Sequence, residues 1–324
     1  MKHKNTFLIT GGAGHLGSHI GLILAQQGHT VVVLDSFEHN QDFCPQWAHV
    51  YRGDYGDPLI LKKIFKEHPI TMVIHCASSV RSQLSLQRPL ECYYNNVAKT
   101  MTLLEIMHEH KIMALIFCSS SDVYGVPQEI PVHEDHSCIP VTPYGSSKLM
   151  IETIIKDCAR ATDMQFVILR QFNVSGAVIG SGLKEWHVPE THLIPLVLNA
   201  CKSGAPLYVF GNDYSTLDGT AVRDYVHVQD SALAVVKAVE HLMHKKPSDV
   251  FNVGSGRGWS VKQVIDVAQI ITQKECAVMY GPRREADVPV MIADTSKSTN
   301  LLGWKALNSS LELCAESAWK VERE

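Results

Sequence analysis

Short apolar runs alternate with amphipathic stretches through the first half of this chain. The apolar runs are nearly continuous, which is typical of strands buried on both faces of a parallel sheet. Strands are predicted at 6–10, 31–34, 49–51, 71–75, 112–117 and 165–170, and helices at 17–27, 58–67, 95–110 and 144–162. Because the two element types alternate, the sequence predicts an α/β fold with a doubly wound, mostly parallel sheet.

A glycine-rich turn, 11–17, joins the first predicted strand to the first predicted helix. Such a turn brings a helix N-terminus close to a dinucleotide pyrophosphate, although glycine turns also serve packing alone. Asp35 ends the second predicted strand, where a carboxylate can bind the adenosine ribose. That carboxylate would repel a 2′-phosphate, and no cation follows in 36–38. The sequence therefore favours NAD over NADP.

Tyr144 and Lys148 stand four residues apart, hence on one face of a predicted helix. A cation so placed, beside an oxidised nicotinamide, would favour the phenolate and make Tyr144 a base near neutral pH. Ser120 lies in a serine triplet just after the strand predicted at 112–117, where ligand crevices form in such sheets. Together these residues predict hydride chemistry on an alcohol. Separately, they are also compatible with a surface lysine, a half-buried tyrosine and a simple serine turn.

The composition is that of an ordinary globular protein. Hydrophobic residues make up 45% of the chain, charged residues 19%, and the formal net charge is −4. We expect no nucleic-acid partner and no membrane span, because there is neither a basic footprint nor an apolar run of about 20 residues. Nine cysteines without a CxxC pair predict reduced thiols in the cytoplasm. The histidine-rich stretch 133–136 lacks zinc-ligand spacing, so we predict a solvated loop and no metal site.

The alternation breaks after residue 173, where long polar loops appear at 178–191 and 211–221. Long loops in a compact protein commonly bind ligands or cover a site. No flexible linker separates the two regions. We therefore predict an NAD-binding domain over residues 1–175 and a substrate-binding region over 176–324 that is interleaved with it.

Motifs along the whole chain resemble a known family. Residues 10–17, Asp35, 120–125 and 144–148 resemble the extended short-chain dehydrogenase/reductase superfamily. The second half narrows the resemblance to the UDP-glucose 4-epimerase family. The motifs that do so are 189–195, 210–214, 218–220, 222–228, 251–254 and 283–287.

This resemblance implies a Rossmann-type domain that retains NAD, a 4-epimerase acting on UDP-glucose and UDP-galactose through a transient 4-keto sugar, and a homodimer formed through the helices at 95–110 and 144–162. The implied catalytic residues are Ser120, Tyr144 and Lys148. The implied cofactor-binding residues are Gly11, Gly14, His15, Leu16, Gly17, Asp35, Ser36, Asp54, Tyr55, Cys76, Ala77, Asn96, Tyr144, Lys148 and Phe172. The implied substrate-binding residues are Ser120, Asn173, His192, Leu193, Arg223, Arg284, Asp287 and Met291.

Some positions depart from the family pattern. Gln171 stands where tyrosine is common, Cys76 where a bulkier residue is common, and His15 where an aromatic residue is common. These departures leave the catalytic groups in place and bear on cofactor contacts and substrate choice. Met291 lies in bulk between the tyrosine of glucose-restricted members and the small residue of members that admit N-acetylhexosamines. We therefore expect slower turnover of the N-acetyl sugars.

Three alternative functions remain open. One is a UDP-N-acetylglucosamine 4-epimerase. Another is a sugar-nucleotide dehydratase, for which related enzymes carry an Asp-Glu pair where this chain has Ser121-Asp122. A third is a non-catalytic NAD-binding regulator, which would have no need of the serine, tyrosine and lysine together.

Overall fold

The computed structural model describes residues 4–38, 45–79, 82–185 and 189–323. Its strands are β1 (Thr6–Thr10), β2 (Thr30–Asp35), β3 (Ala48–Arg52), β4 (Met72–His75), β5 (Ala114–Ser120), β6 (Gln165–Gln171), β7 (Asn173–Ser175), β8 (Leu207–Phe210), β9 (Val222–His227), β10 (Asp249–Val253), β11 (Gly258–Ser260), β12 (Val278–Gly281) and β13 (Val290–Met291).

The helices are α1 (His15–Gln26), α2 (Pro58–Glu67), α3 (Ser82–Gln87), α4 (Pro89–Tyr93), α5 (Lys99–Glu109), α6 (Pro143–Ala161), α7 (Leu193–Ser203), α8 (Val228–Met243), α9 (Val261–Thr272) and α10 (Leu311–Val321). Short π-helical turns span Tyr94–Ala98 and Ser298–Leu302, and a 3₁₀ turn spans Ser121–Tyr124. None of the described helices has the length and apolar character that crossing a membrane requires.

Seven parallel strands form the main sheet in the order β10-β6-β5-β4-β1-β2-β3. Alternate residues of a strand bury on opposite faces. Phe7 and Ile9 pack with α1 and α8, whereas Leu8 packs in a second core with α2, α5 and α6. Both faces are covered, which explains why the strand sequences are continuously apolar and confirms the predicted fold class.

The second region is built around β9. Its first half pairs with β11 and β13, its second half pairs with β7, and β8 pairs separately with β12. Helices α7, α9 and α10 share a core of their own. Strand β10 and helix α8 nevertheless belong to the main sheet and its cover. The division at residue 175 stays a prediction, and the chain exchanges elements across it.

Most element predictions hold, with two corrections. The helix predicted at 95–110 begins with a π-helical turn, and only Lys99–Glu109 is regular α-helix. The strand predicted at 112–117 is Ala114–Ser120, so Ser119 and Ser120 belong to the strand rather than to a turn after it. Pairing with β6 continues to Ser120, opposite Gln171, which explains the extension. Residues 186–188 of the predicted loop 178–191 and Cys44 lie outside the described residues.

Candidate active site

The carboxyl ends of the parallel strands meet at one edge of the main sheet, which is where such sheets bind ligands. Backbone hydrogen bonds join the end of β1 to the residues that follow β4 at this edge. The N–H groups of Cys76 and Ala77 both donate to the carbonyl oxygen of Thr10, each at 3.0 Å. The predicted site residues from both halves of the chain lie in elements around this edge.

The glycine turn is packed so closely that side chains are excluded. A Cβ at Gly17 would lie 2.2 Å from the carbonyl oxygen of Gly11. A Cβ at Gly11, whose φ is +71°, would lie 2.6 Å from the backbone nitrogen of Ala77. Gly14 is the N-cap of α1 and offers no side-chain cap, and no acidic residue lies in the first turn. This end of α1 therefore fits a dinucleotide pyrophosphate.

Asp35 is held at the end of β2 by two backbone groups. Its carboxylate accepts hydrogen bonds from the N–H of Ala13 at 3.0 Å and of Phe37 at 2.9 Å. A carboxylate has about four acceptor positions, so capacity for a ribose hydroxyl is left. Ser36, the next predicted ribose contact, is exposed.

Hydrogen bonds hold three more of the predicted cofactor residues, Asp54, Tyr55 and Asn96. Asp54 is paired with Lys99 at 2.6 Å, and the buried Tyr55 donates to the carbonyl oxygen of Asn95. Asn96 accepts from the N–H of Ser79 at 2.7 Å and donates to the hydroxyl of Ser147 at 2.9 Å. Asn96 thus ties the chain after β4 to α6.

Two of the predicted cofactor residues bond to other parts of the fold. The ring Nε2 of His15 lies 2.8 Å from the carbonyl oxygen of Gly176, so this histidine joins α1 to the second region. The sulfur of Cys76 lies 3.5 Å from the sulfur of Cys118 on β5. This thiol contact and burial raise the pKa of Cys76 well above its ordinary value.

Helix α6 positions Tyr144 and Lys148, the predicted catalytic tyrosine and lysine. Thr142 caps the helix by accepting from the N–H of Gly145 at 3.1 Å. Tyr144 and Lys148 are both buried, and the Lys148 Nζ lies 5.8 Å from the centroid of the Tyr144 ring. Lys148 also donates to the carbonyl oxygen of Cys118 at 2.8 Å, and Ser120 ends the same strand. The structure therefore brings the predicted catalytic trio together.

The electrostatics differ from the simplest sequence-based expectation. Burial raises the pKa of Tyr144, the charge of Asp122 raises it further, and the hydroxyl of Ser120 opposes this. Burial also lowers the pKa of Lys148 to about 8. Lys148 alone therefore does not bring Tyr144 near neutrality. The predicted phenolate depends on further positive charge, such as that of an oxidised nicotinamide.

Asp122 is a site residue that sequence reasoning considered only in connection with dehydration. It lies in the 3₁₀ turn after β5, and its N–H donates to the hydroxyl of Ser120 at 3.1 Å. Gly145 packs on the same residue, since a Cβ there would lie 2.5 Å from the Asp122 carbonyl oxygen. Burial raises the pKa of its carboxyl group, against hydrogen bonding from Ser82 and the charge of Arg223.

The predicted substrate residues of the second region are held by ion pairs and ring contacts. Arg223 on β9 is paired with Asp287, which also accepts from the Tyr214 hydroxyl at 3.3 Å. The guanidinium of Arg284 lies 4.2 Å from the centroid of the Phe210 ring. Phe210 begins the motif 210–214, but the sequence does not predict it as a substrate contact. Its 37% exposure beside Arg284 is a signal that only the structure supplies.

The remaining predicted substrate residues of the second region lie at the starts of β7 and α7 and on β13. Met291 lies opposite Arg223 in the β9–β13 pairing and is buried with Phe172. Asn173 begins β7 and is half-buried. Leu193 begins α7, and His192 is its N-cap.

His192 belongs to a small charged cluster. Its Nδ1 lies 2.7 Å from a carboxylate oxygen of Glu185 and 3.2 Å from one of Glu190. Burial alone would lower the pKa of His192, but these hydrogen bonds overcome it and raise the pKa to about 10. Ligand atoms of the three residues lie within 4.8 Å of one another. These contacts form ion pairs between a protonated His192 and the two carboxylates.

Several buried polar atoms make no hydrogen bond within the described residues, and those of Gln171 and Ser78 lie next in sequence to the predicted cofactor residues Phe172 and Ala77. Both amide atoms of Gln171 and the hydroxyl of Ser78 make no hydrogen bond within the described part of the chain. Buried polar groups normally have partners, so these atoms indicate a bound group. Together with the glycine turn and the bare N-terminus of α1, they fit a dinucleotide.

Residues 7–254 match the model of the NAD dependent epimerase/dehydratase family. The chain belongs to this family. It is 41% identical to the UDP-glucose 4-epimerase of Halalkalibacterium halodurans over 318 residues, which cover 98% of this chain and 95% of that protein.

Solved structures of the family agree with this similarity. A UDP-glucose 4-epimerase from Brucella ovis in complex with NAD has a TM-score of 0.93 at 37% identity, with 97% of each chain covered. The enzyme from Bifidobacterium longum in complex with NAD⁺ and UDP has a TM-score of 0.92 at 34% identity, with 98% of each chain covered. The resemblance to UDP-glucose 4-epimerases, the isomerase class, the fold class and the NAD cofactor are thereby confirmed. The roles of individual residues stay predictions.

Proposed function

We propose that this family member interconverts UDP-glucose and UDP-galactose by inverting C4 of the hexose through a transient 4-keto sugar. One observation carries the proposal. Ser120, Tyr144 and Lys148 converge at the edge of the sheet beside the glycine turn, and Arg223 and Asp287 lie in the second region nearby. One end of this cleft suits proton and hydride transfer at an alcohol, and the other suits a nucleoside diphosphate.

NAD would be held by the glycine turn, Asp35 and the residues around β4, and it supplies a hydride acceptor that is restored in each turnover. Tyr144 takes the proton of the 4-hydroxyl group and returns it when the alcohol re-forms. Ser120 bonds the same oxygen and shares the proton. Because the proton and the hydride both return to the sugar, the reaction needs no external acid, base or reductant.

The buried environment of Tyr144 sets the proton transfer. A phenolate of raised pKa is a strong base toward an alcohol, but little of it exists at neutral pH. Positive charge near the ring increases the ionised fraction, and Lys148 contributes this charge only below its pKa of about 8. Tyr144 is thus a strong base once it is ionised, and the positive charge of the oxidised cofactor helps to ionise it.

The nucleotide end is proposed to bind through Arg223, Arg284 and Asp287. Guanidinium groups form charge-assisted hydrogen bonds with a diphosphate, and a carboxylate accepts from the ribose diol. Arg223 and Asp287 bond to each other. The pair therefore sets a donor for the diphosphate beside an acceptor for the ribose.

A dehydratase is the second candidate because Asp122 is a buried carboxyl group beside Ser120. The preceding residue is Ser121 rather than an acid, which disfavours expulsion of a hydroxyl group. The test is a panel of UDP-sugars with and without the N-acetyl group, analysed by NMR for 4-epimers and for loss of water. We expect 4-epimers of UDP-glucose and UDP-galactose, with slower turnover of the N-acetyl sugars. A product that has lost water would establish the second candidate instead.

NAD should remain bound through purification, because the reaction regenerates it. The test is to denature the purified protein and identify the released nucleotide. We expect NAD. Predominance of NADP would contradict the role given to Asp35, which is fixed beside the glycine turn by Ala13 and Phe37.

We further propose a homodimer formed through α5 and α6. Apolar side chains of the two helices form a shared surface groove that includes Met101, Leu104, Ile154 and Cys158. Met101 is 53% exposed. Sedimentation should show a dimer, and Met101→Lys should weaken it. A monomeric wild-type protein would contradict this assembly.

A reducing compartment such as the cytoplasm fits the eight described cysteines, all of which are free thiols.

A further inference from the structure

Gln171 is a buried amide whose hydrogen-bonding capacity is unused. It is 8% exposed, and neither Nε2 nor Oε1 has a partner within the described residues. An amide left unsatisfied in the interior loses its hydrogen bonds to water without compensation. Such a group at the end of β6 therefore points to a partner other than the described residues.

The strand register places this amide at the reacting end of the cleft. Gln171 lies directly opposite Ser120 of β5 on one side and Val253 of β10 on the other. The preceding pair, Ser119 and Arg170, points to the face covered by α6, because both side chains bond to Glu152.

Side chains alternate along strands, so Gln171 projects to the opposite face. The sulfurs of Cys118 and Cys76 meet on that face 3.5 Å apart, and Cys76 is a predicted cofactor contact.

We propose that the side-chain amide of Gln171 binds the carboxamide of the nicotinamide ring, donating one hydrogen bond and accepting another. Ser120, Tyr144 and Lys148 mark where a hydride leaves the sugar, so the nicotinamide ring has to lie against them. The carboxamide is the ring's one polar substituent, and it carries the acceptor and donor that complement a glutamine amide. The inference rests on the proposed function for this placement of the ring.

The assignment gives Gln171 a positioning role as well as a binding role. Two hydrogen bonds to the carboxamide would fix the rotation of the ring, and hence the face that it presents to the sugar.

The test compares nucleotide affinities of protein that has been stripped of NAD and shown to rebind one equivalent of NAD when the nucleotide returns. The variant is Gln171→Met, which keeps the side-chain volume and removes the amide. The matched control is Gln165→Met, at the exposed start of the same strand. The ligands are NAD, ADP-ribose, which lacks nicotinamide, and 3-acetylpyridine adenine dinucleotide, in which a methyl group replaces the amide NH₂.

We expect Gln171→Met to weaken NAD at least about tenfold, to leave ADP-ribose within about twofold, and to remove the wild-type preference for NAD over the acetyl analogue. Equal loss of NAD and ADP-ribose affinity would overturn the proposal in favour of a packing role. Unchanged NAD affinity with weakened UDP binding would overturn it in favour of a substrate contact.

The wild-type protein tests the proposal even if the variant does not fold, since equal affinity for NAD and the acetyl analogue would contradict it. These binding readouts need no epimerase activity. A failed substrate panel would therefore refute the proposed function without being confused with a failure here.

Discussion

The two sides of the cleft are built by different means. The cofactor side is fixed by backbone packing, with glycines where a Cβ would come within 2.2–2.6 Å of main-chain atoms. The substrate side is held by side-chain ion pairs such as Arg223–Asp287 and Arg283–Asp213. A rigid cradle suits a cofactor that stays bound, whereas ion pairs can exchange for a substrate that comes and goes. We therefore expect substitutions to be tolerated better on the substrate side than in the glycine turn of the cofactor side.

Gly17→Ala should have the largest effect, because it breaks the rigid side. The new methyl group would meet the carbonyl oxygen of Gly11, which cannot move without shifting the turn. We expect purified protein without bound NAD and with almost no activity. Gly281→Ala is the control from the substrate side, where a Cβ would meet only Phe210 at 3.8 Å. Retention of NAD by Gly17→Ala would contradict the account of the cradle.

Tyr144→Phe should keep both sides intact and stop the chemistry between them. Loss of a general base costs typically 10²–10⁴-fold, so we expect kcat to fall at least about 100-fold. Bound NAD should persist because the glycine turn and Asp35 also hold it, and the affinity for UDP should persist because the predicted UDP contacts lie elsewhere. Steady-state kinetics and calorimetry measure the two parts separately. Near-normal kcat would mean that Tyr144 is not the base.

Arg223→Ala should affect substrate binding alone. A charge-assisted hydrogen bond contributes roughly 1.5–3 kcal/mol, which corresponds to about a 10–150-fold increase in KM for UDP-galactose. Bound NAD should be unchanged. Arg160→Ala is the control, because that arginine pairs with Asp157 on the exposed surface of α6. Loss of NAD from Arg223→Ala would place this arginine on the wrong side of the cleft.

Asp122→Asn should shift the pH profile. The charge of Asp122 raises the pKa of Tyr144, so its removal lowers that pKa and increases the phenolate fraction at a given pH. The acid limb of kcat/KM should therefore move to lower pH. Lys148→Ala should move it to higher pH, since a cation near the phenol is lost. Asp157→Asn, on the exposed part of α6, should leave it in place. A shift of Asp122→Asn toward higher pH would show that its charge does not act on the base.

Met291 should have the smallest effect, on sugar preference only. It is buried beside Phe172 and pairs with Arg223 across β9 and β13. We expect Met291→Tyr to abolish slow turnover of N-acetyl sugars by filling space, and Met291→Cys to increase it. If neither change alters the ratio of N-acetyl to plain sugar turnover, Met291 is simply a packing residue.

Sequence reasoning succeeded where local pattern and packing agree. The strand Thr6–Thr10 and the helix Pro58–Glu67 have the predicted bounds, because continuous apolar character and an N-terminal proline are local signals. Strand β10 is different. It joins the sheet from the second region, a long-range pairing that no local pattern records.

The site shows the same limit. The spacing of Tyr144 and Lys148 predicted their proximity, because helix geometry alone decides it. The raised pKa of Tyr144 depends on burial and on the charge of Asp122, both of which arise only in the folded chain. The unpartnered amide of Gln171 likewise requires knowledge of every neighbouring group.

In the proposed reaction, hydride leaves C4 of the sugar and returns to the same carbon while Tyr144 accepts and returns the proton. The most direct test is turnover of UDP-galactose carrying deuterium at C4, in ordinary water and without added nucleotide, with the product followed by NMR. We expect UDP-glucose that retains deuterium at C4. Exchange of that deuterium for solvent hydrogen during conversion would contradict it.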